Sequence, residues 1–466
     1  MKKLISSLLA VSAAFTMLAD DAKQKPDTVA GFAFTDIKVI PGTSVKDQNK
    51  SGTCWCFSSL SFFENEILRK TGKVMDLSEM FVVRHCYNDK AIKYVRMYGA
   101  LNFAQGGSAL DVPYVGSKVR IVKETETSTF IAKFNDNGTI DNGDFKLLAT
   151  TDMHTDEDYS LNNKSLQLFI NQIRDEKPDL VILTGDCIQS KYQQFEAIHF
   201  AQMMEKLGVY WAYVFGNHEA REEKEFHKYL LMKSLSDYPH CLSKFGAPNL
   251  FGYGNFIINI MNSETELKQS LVFMDSGRDI IPEYMARDGV PAEMENGYDY
   301  IKPDQIKWYT EEMTALKETY CKCPNLLYMH IPIKEYEEIF ELNENEEYVP
   351  TGKGELLYGR MFESVGCSPF NSGLFEAMKK NGAQGIFCGH DHVNAWAAKY
   401  EGIWLVYNQM GSYNAYSLGD FRGTSRPEEE WQQGVTLTTI HNDSSIDLKQ
   451  SFNSRYLKKE KTIFDF

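Results

Sequence analysis

Aspartate, asparagine and histidine residues recur along this chain at points where an apolar run ends. They lie in the segments TDMH, TGDC, GNHE, YMHIP and CGHDH, as Asp152, His154, Asp186, Asn217, His218, His330, His390 and His392. Because strands of a layered α/β domain present their carboxyl ends at a common edge, we expect these side chains to converge. Imidazole and carboxylate groups at this density indicate a site for metal ions.

The spacing of these residues has a chemical reason. In an extended or tightly turned segment, one intervening residue lets two side chains point to the same side, so Asp-x-His and His-x-His can each chelate an ion. Two ions about 3.5–4 Å apart need a bridging carboxylate, and Asp186 suits this role because Gly185 permits a close approach. The mixed oxygen and nitrogen set favours two divalent ions such as Zn, Mn or Fe over Ca or Mg.

The segments that must position these residues alternate between strand and helix patterns. KVRIVKETETSTFIAKF predicts a hairpin, and FKLLATTDMH, DLVILTGD and VYWAYVFGNHE predict strands that run into polar loops. Helical patterns such as SLQLFINQIRDEK and DQIKWYTEEMTALKETY lie between strands. This order predicts a layered α/β domain with its site at the carboxyl edge of the sheets. Substrate specificity is expected in loops at 219–250 and 331–370.

In chain order, DxH, GD, GNHE, H and GHxH resemble the calcineurin-like metallophosphoesterase superfamily, and YDYIKPDQIKWY and MHIPIKEY resemble its branch related to purple acid phosphatases. The resemblance covers residues 117–466 and implies an α/β/β/α sandwich. It assigns one metal to Asp152, His154, His392 and bridging Asp186, and the second to Asn217, His330, His390 and the same Asp186. It also places His218 opposite the scissile phosphate.

The resemblance implies a binuclear phosphoric ester hydrolase in which a metal-bridging hydroxide attacks phosphorus. Asn217 would stabilise the phosphate oxygens, and His218 would assist the leaving group as the second catalytic residue. Gln189 occupies the position where purple phosphatases carry a tyrosine ligand, so we expect no purple chromophore. A non-catalytic phosphate-binding module remains an alternative.

A second chemical pattern lies near the N-terminus, in KDQNKSGTCWCFSS. Gln48 six residues ahead of Cys54 suggests a thiol nucleophile at a helix start. With LSEMFVVRHC, residues 28–115 resemble the bleomycin hydrolase and aminopeptidase C branch of papain-like cysteine peptidases, which implies an oxyanion role for Gln48. The histidine and asparagine of that family come from a downstream lobe that this chain replaces. We therefore expect a truncated, mainly helical lobe with a vestigial site at 20–116; a working peptidase with an appended phosphoesterase is the other alternative.

Composition and the first residues bound the remaining possibilities. MKKLISSLLAVSAAFTMLA, residues 1–19, predicts a signal peptide and a secreted or periplasmic protein. No later segment approaches the ~20 apolar residues of a membrane span. A net charge of −15 argues against a stable nucleic-acid partner, and a small phosphoester is the expected substrate. Metal identity, ester preference, cysteine pairing and oligomeric state remain open.

Overall fold

The computed structural model describes residues 42–96, 118–135, 138–156, 159–220, 224–419, 427 and 431–457. The predicted signal peptide at 1–19 and the predicted domain boundary near 116 lie outside these ranges.

Helices and strands alternate over most of the described chain. The α-helices are α1 (Cys54–Thr71), α2 (Glu79–Arg96), α3 (Tyr159–Glu176), α4 (Gln193–Leu207), α5 (Lys224–Ser236), α6 (Pro282–Asp288), α7 (Pro303–Tyr320), α8 (Leu374–Lys380) and α9 (Ser454–Leu457). The first strands are β1 (Val119–Glu124), β2 (Ser128–Lys133), β3 (Phe145–Thr150), β4 (Leu180–Thr184), β5 (Tyr210–Val214), β6 (Phe256–Met261), β7 (Leu267–Phe273) and β8 (Asn325–Tyr328). The later strands are β9 (Phe340–Leu342), β10 (Tyr348–Pro350), β11 (Glu355–Arg360), β12 (Ala383–Cys388), β13 (Ala395–Tyr400), β14 (Ile403–Tyr407), β15 (Gly434–Ile440) and β16 (Ile446–Phe452).

The strands form two large sheets and one small hairpin. One sheet has nine strands in the order β1-β2-β6-β7-β8-β12-β14-β13-β11, and the other has five in the order β16-β15-β3-β4-β5. β3, β4 and β5 are parallel, as are β7, β8, β12 and β14. Parallel neighbours deliver their carboxyl ends to one edge, so the loops that follow them meet.

Successive residues of a strand face opposite sides, which creates separate apolar cores. Leu147 of β3 packs between the two sheets, together with residues such as Ile258 of the nine-stranded sheet. Its neighbour Leu148 instead packs under α3, α4 and α5. Helices α7 and α8 cover the other face of the nine-stranded sheet, where Trp308 and Met378 are buried. The predicted α/β/β/α sandwich is therefore confirmed.

The predicted hairpin is present in the structure, whereas the predicted specificity loops are only partly loops. The hairpin is present as antiparallel β1 and β2, with a register shift between Ile121 and Lys123. The expectation that 219–250 and 331–370 are specificity loops is wrong in part, because these segments contain α5 and β9–β11. Helix α5 forms there because Leu231, Met232 and Leu235 bury one helical face against the core.

The helices α1 and α2 pack on each other ahead of the sheets. Their shared core consists of Trp55, Cys56, Leu60, Val82, Val83 and Cys86. The Lys46 ammonium links the pair, at 2.7 Å from Glu64 Oε1 and 2.8 Å from Glu79 Oε1. Arg120 of β1 lies 5.5 Å from the Phe81 ring, so α2 contacts the nine-stranded sheet. The N-terminal segment is helical as expected within the described residues, and none of the nine cysteines forms a disulfide.

Candidate metal centre

The predicted metal-site residues converge from loops that follow five different strands. Asp152 and His154 follow β3, Asp186 follows β4, Asn217 and His218 follow β5, His330 follows β8, and His390 and His392 follow β12. Six of these residues form two groups, in each of which the ligand atoms lie within 4.8 Å of one another. The first group is Asp152, His154 and His392, and the second is Asp186, His330 and His390. Parallel strand order in both sheets produces this convergence.

The first group combines one carboxylate with two imidazoles. Nε2 of His154 lies 3.0 Å from Nε2 of His392, and each of these atoms is 3.5 Å from Asp152 Oδ1. The other oxygen, Asp152 Oδ2, accepts hydrogen bonds from the Thr151 hydroxyl at 2.8 Å and the His390 amide at 2.9 Å. One oxygen therefore fixes the carboxylate while the other faces the two ring nitrogens.

The second group is held in a similar way. Nδ1 of His330 donates to the Thr184 carbonyl at 2.7 Å, so Nε2 is the atom directed into the site. That Nε2 lies 3.1 Å from both Asp186 Oδ2 and Asn217 Oδ1. It is also 4.0 Å from Asp152 Oδ1, which places the two groups in one cavity.

His218 lies at the side of this cavity and is more exposed than the other histidines of the site. Its amide donates to Asp186 Oδ1 at 2.7 Å, and its Nε2 lies 3.8 Å from Asp186 Oδ2. The side chain is 24% exposed, whereas that of His330 is fully buried. This position suits contact with a molecule bound in the cavity better than direct binding of a metal ion.

Four of these residues adopt a backbone conformation that side chains other than glycine rarely take. Asp152, His154, Asp186 and His390 have φ angles of 52°, 43°, 49° and 80°. Such conformations cost roughly 1–3 kcal/mol each and persist only where the surrounding structure holds them. Their concentration at one edge indicates that the loops are shaped for a site.

Glu219, which sequence reasoning missed, holds two of the loops together. Its Oε2 accepts hydrogen bonds from the amides of Asp186 and Gly216, at 3.0 and 2.7 Å. Its Oε1 accepts from the amides of Cys187 and Ile188, at 2.8 and 3.1 Å, and from a tyrosine hydroxyl. This buried carboxylate ties the Asp186 loop to the segment that carries His218.

The two histidines of the second group have pKa values that are shifted in opposite directions. Although burial opposes protonation, Asp186 and Asp152 raise the pKa of His330 to about 10. Burial lowers the pKa of His390 to about 3, and the neighbouring His330 adds to this effect. The pKa of Asp186 falls below its ordinary value because nearby histidines outweigh burial. The carboxylates therefore make the cavity attractive to positive charge.

The cavity fits divalent metal ions on two observations. Asp152 Oδ1 is buried and, within the described part of the chain, has no hydrogen-bond partner. The ring nitrogens of His154 and His392 face each other and that oxygen, as atoms do that share a cation. Nitrogen and oxygen donors in each group match the preference of borderline ions such as Zn²⁺ and Mn²⁺.

Two tyrosines that the sequence analysis did not assign to the site border the cavity. Tyr416 stacks on His392 with ring centroids 4.2 Å apart, and Tyr298 meets His390 edge to face at 4.5 Å. Each tyrosine is more than a third exposed. Beside Tyr298 lies an open groove of about 680 Å³, whose lining includes Asp279, Glu293 and Lys334. Aromatic walls and this groove offer space for a molecule larger than phosphate.

The histidines not assigned to the site have other surroundings where their side chains are described. His240 pairs with Glu205 at 2.7 Å, His441 lies between two aspartates, and His199 packs on Phe195. The side chains of His85 and His227 lie outside the described residues.

The thiol of Cys54 is exposed at the start of α1, as its sequence context predicts. Gln48 is close in sequence, but its amide donates to the Ser51 carbonyl at 3.1 Å. Among the histidine side chains that the structure describes, none hydrogen-bonds to Cys54. Among the described side chains, Gln48 and Cys54 of the predicted peptidase site are therefore present without a base that would activate the thiol.

Comparison with known families agrees with the geometry of the cavity. Residues 145–394 match the calcineurin-like phosphoesterase family. The chain belongs to this family. Relatives within it include "Probable inactive purple acid phosphatase 14" of Arabidopsis thaliana, 27% identical over 312 residues that cover 59% of this chain and 72% of the relative. A solved dimetal phosphatase from Danio rerio is 11% identical, covers 66% of this chain and 96% of its own, and has a TM-score of 0.42.

The N-terminal segment matches a different family. Residues 35–160 match the papain family of cysteine proteases. Cathepsin K of Gallus gallus is 33% identical over 78 residues, which cover 16% of this chain and 23% of that protein. The expected resemblances to the calcineurin-like phosphoesterases and to the papain-like cysteine peptidases are therefore confirmed. The described helices include none that is long and apolar enough to cross a membrane.

Proposed function

We propose that this phosphoesterase-family chain hydrolyses small phosphate esters with two divalent metal ions. The main support for the proposal is that the two donor groups lie in one buried cavity. One ion would be held by Asp152, His154 and His392, the other by Asn217, His330 and His390, with Asp186 between them. Bound there, the ions would supply positive charge for the phosphate oxygens and lower the pKa of the attacking water.

The chain's own side chains would orient the substrate and manage the proton of the leaving group. Asn217 directs Oδ1 toward His330 at 3.1 Å, which leaves its amide nitrogen as a donor for a phosphate oxygen. His218, partly exposed beside Asp186, is placed to donate a proton to the departing alkoxide. The alcohol part of the ester would extend past Tyr298 into the adjoining groove.

The N-terminal segment enters the proposal as a vestigial unit. We divide the chain into a signal peptide at 1–19, a truncated papain-like segment at 20–116 and a phosphoesterase domain at 117–466. This division supports a secreted or periplasmic enzyme, in which peptidase chemistry plays no part.

A catalytically silent phosphate-binding module is the second candidate. The names of several relatives contain the word "inactive", which favours it. The presence of every expected donor at 152–392 favours hydrolysis. The two candidates differ in turnover, not in metal binding.

The experiment uses the full-length purified chain loaded with Mn²⁺ or Zn²⁺. We expect hydrolysis of p-nitrophenyl phosphate or bis-p-nitrophenyl phosphate that disappears with a chelator. Asp186→Asn should abolish turnover and reduce bound metal, because the substitution removes the charge of the proposed bridge. Asp237→Asn, an equal change at an exposed position, is the matched control. Bound metal without turnover in the wild type would favour the silent module, and full turnover in Asp186→Asn would refute the site assignment.

A further inference from the structure

Gln189 lies against His154, at the position where the purple branch of the family has a metal-binding tyrosine. Its Oε1 is 2.7 Å from His154 Nδ1. Two main-chain hydrogen bonds hold this segment in place. The backbone N–H of Gln189 donates to the Thr155 carbonyl at 3.0 Å, and the backbone N–H of Thr155 donates to the Cys187 carbonyl at 2.9 Å. The loops after β3 and β4 are thus joined beside the first donor group.

The chemistry of this contact fixes where the imidazole carries its proton. An amide oxygen can only accept, so Nδ1 of His154 must be the donor. In the neutral ring, the lone pair is then on Nε2, the atom that faces His392 Nε2 at 3.0 Å and Asp152 Oδ1 at 3.5 Å. A histidine that ligates through Nε2 needs this tautomer and this ring orientation.

The second donor group obtains the same arrangement from the main chain. His330 Nδ1 donates to the Thr184 carbonyl at 2.7 Å, a partner that no side-chain substitution removes. The two groups therefore differ in one respect: the orientation of His154 depends on a replaceable side chain, and that of His330 does not.

We propose that Gln189 is a positioning residue that holds His154 in the Nδ1–H tautomer, and that it sets the affinity of the first metal position selectively. The inference rests on the proposed two-metal function. Where the purple branch has a tyrosine that binds the metal, this chain would have a glutamine that orients the metal-binding histidine.

Metal titration of the full chain tests the selectivity. Competition with a chromophoric chelator should resolve two Mn²⁺ or Zn²⁺ affinities in the wild type. Gln189→Leu should weaken one of them by about 10–100-fold, the usual effect of removing a partner of a metal-bound histidine. Gln189→Glu keeps an oxygen acceptor at the same reach and should restore affinity. Gln167→Leu, which removes a hydrogen bond between neighbouring turns of α3, is the matched control.

A metal-free measurement separates this inference from the proposed function. Nitrogen NMR of histidine-labelled protein, recorded at a pH where the His154 ring is neutral and with His154 assigned by substitution, should show the Nδ1–H tautomer in the wild type and in Gln189→Glu. Gln189→Leu should shift that ring toward a tautomer mixture. Unchanged tautomer and affinities in Gln189→Leu, or equal loss at both metal positions, would overturn the inference. Failure of the wild type to bind metal, with the tautomer result intact, would refute the two-metal function and the effect on affinity, and would leave the positioning of His154 by Gln189 standing.

Discussion

At the scale of single residues, the site depends on side chains that need not touch a substrate. Glu219 accepts four main-chain amides and one hydroxyl while fully buried. Burial and the nearby Asp186 raise its pKa. The donors around Glu219 need two carboxylate oxygens as acceptors. A glutamine of the same shape offers only one such oxygen, so we expect this substitution to be harmful.

Replacing Glu219 by glutamine should destabilise the protein and loosen the metal site. The new amide group would face at least two main-chain N–H donors, and each unsatisfied group costs about 1–3 kcal/mol. Urea unfolding and metal stoichiometry measure both effects. Glu318→Gln, on the exposed face of α7, should stay within about 0.5 kcal/mol of the wild type. An equally small change for Glu219→Gln would contradict this account.

The sequence was sufficient to predict the residues that form the two donor groups, because each follows an apolar strand pattern. It did not indicate Glu219, whose role depends on two loops meeting in space; its position beside His218 was the only signal. Tyr416 could not be found either, since its stacking on His392 joins residues from different loops. Gln189 was recognised as a departure from the family, while its contact with His154 required the structure.

At the scale of elements, helix α7 begins beside a buried ion pair. The ammonium of Lys302 lies 2.5 Å from Asp299 Oδ1 and 3.5 Å from the centre of the Tyr300 ring, and both charged side chains are fully buried. Burial raises the pKa of Asp299 to about 6 and lowers that of Lys302, so each charge needs the other. Gln305 accepts from the Lys302 amide at 2.8 Å and completes the helix start.

Removing one partner of this pair should be costly. Lys302→Met leaves the Asp299 carboxylate buried without a counter-charge and should destabilise the chain by about 3–5 kcal/mol. The added substitution Asp299→Asn should recover part of this loss. Chemical unfolding of the two variants and the wild type measures the difference. Equal stability of the single and double variants would show that the unpaired Asp299 carboxylate is not the cause of the loss.

The pH dependence of Lys302→Met follows from the same pair. The pKa of Asp299 is already about 6 in the folded protein, above its ordinary value, and losing Lys302 should raise it further. A carboxyl group with a raised folded pKa stabilises the fold at low pH and loses that contribution as pH rises through the folded pKa. The deficit of the variant relative to wild type should therefore be smaller at pH 5 than at pH 8.

Strands and helices could be predicted from periodicity, because buried strands such as DLVILTGD read as continuous apolar runs. The order of the nine-stranded sheet could not, since β2 pairs in parallel with β6 across more than a hundred residues. Helix α5 was missed because its segment is rich in charged residues, and only Leu231, Met232 and Leu235 mark its buried face.

At the scale of the whole molecule, two family resemblances occur in one chain. The helices α1 and α2 and the segment between them carry exposed apolar side chains, including Phe62, Val74 and Met80, each more than half exposed. We expect such exposure if the segment is a truncated lobe whose packing partner is missing, as the sequence analysis predicts. The part of the chain that matches the phosphoesterase family, in contrast, brings its two donor groups together in one cavity.

The peptidase-like segment should therefore take no part in turnover. A thiol nucleophile needs a base within about 2.6–3.2 Å, or slightly more in an empty site. Gln48 donates to Ser51, and the histidines of the metal cavity are engaged with carboxylates and with each other. Alkylation of the exposed Cys54 would not bear on this, because a thiol can react without a catalytic partner.

Cys54→Ala should leave phosphoesterase turnover and bound metal unchanged, and the wild type should not hydrolyse aminoacyl-coumarin substrates under reducing conditions. The reason is that the thiol lacks a base among the described side chains, whereas the metal cavity lies in a different part of the chain. Purified full-length protein, with and without a chelator, separates the two activities, since only phosphoester hydrolysis should respond to metal removal. Aminopeptidase turnover that resists the chelator and disappears in Cys54→Ala would show that the N-terminal segment is a working peptidase.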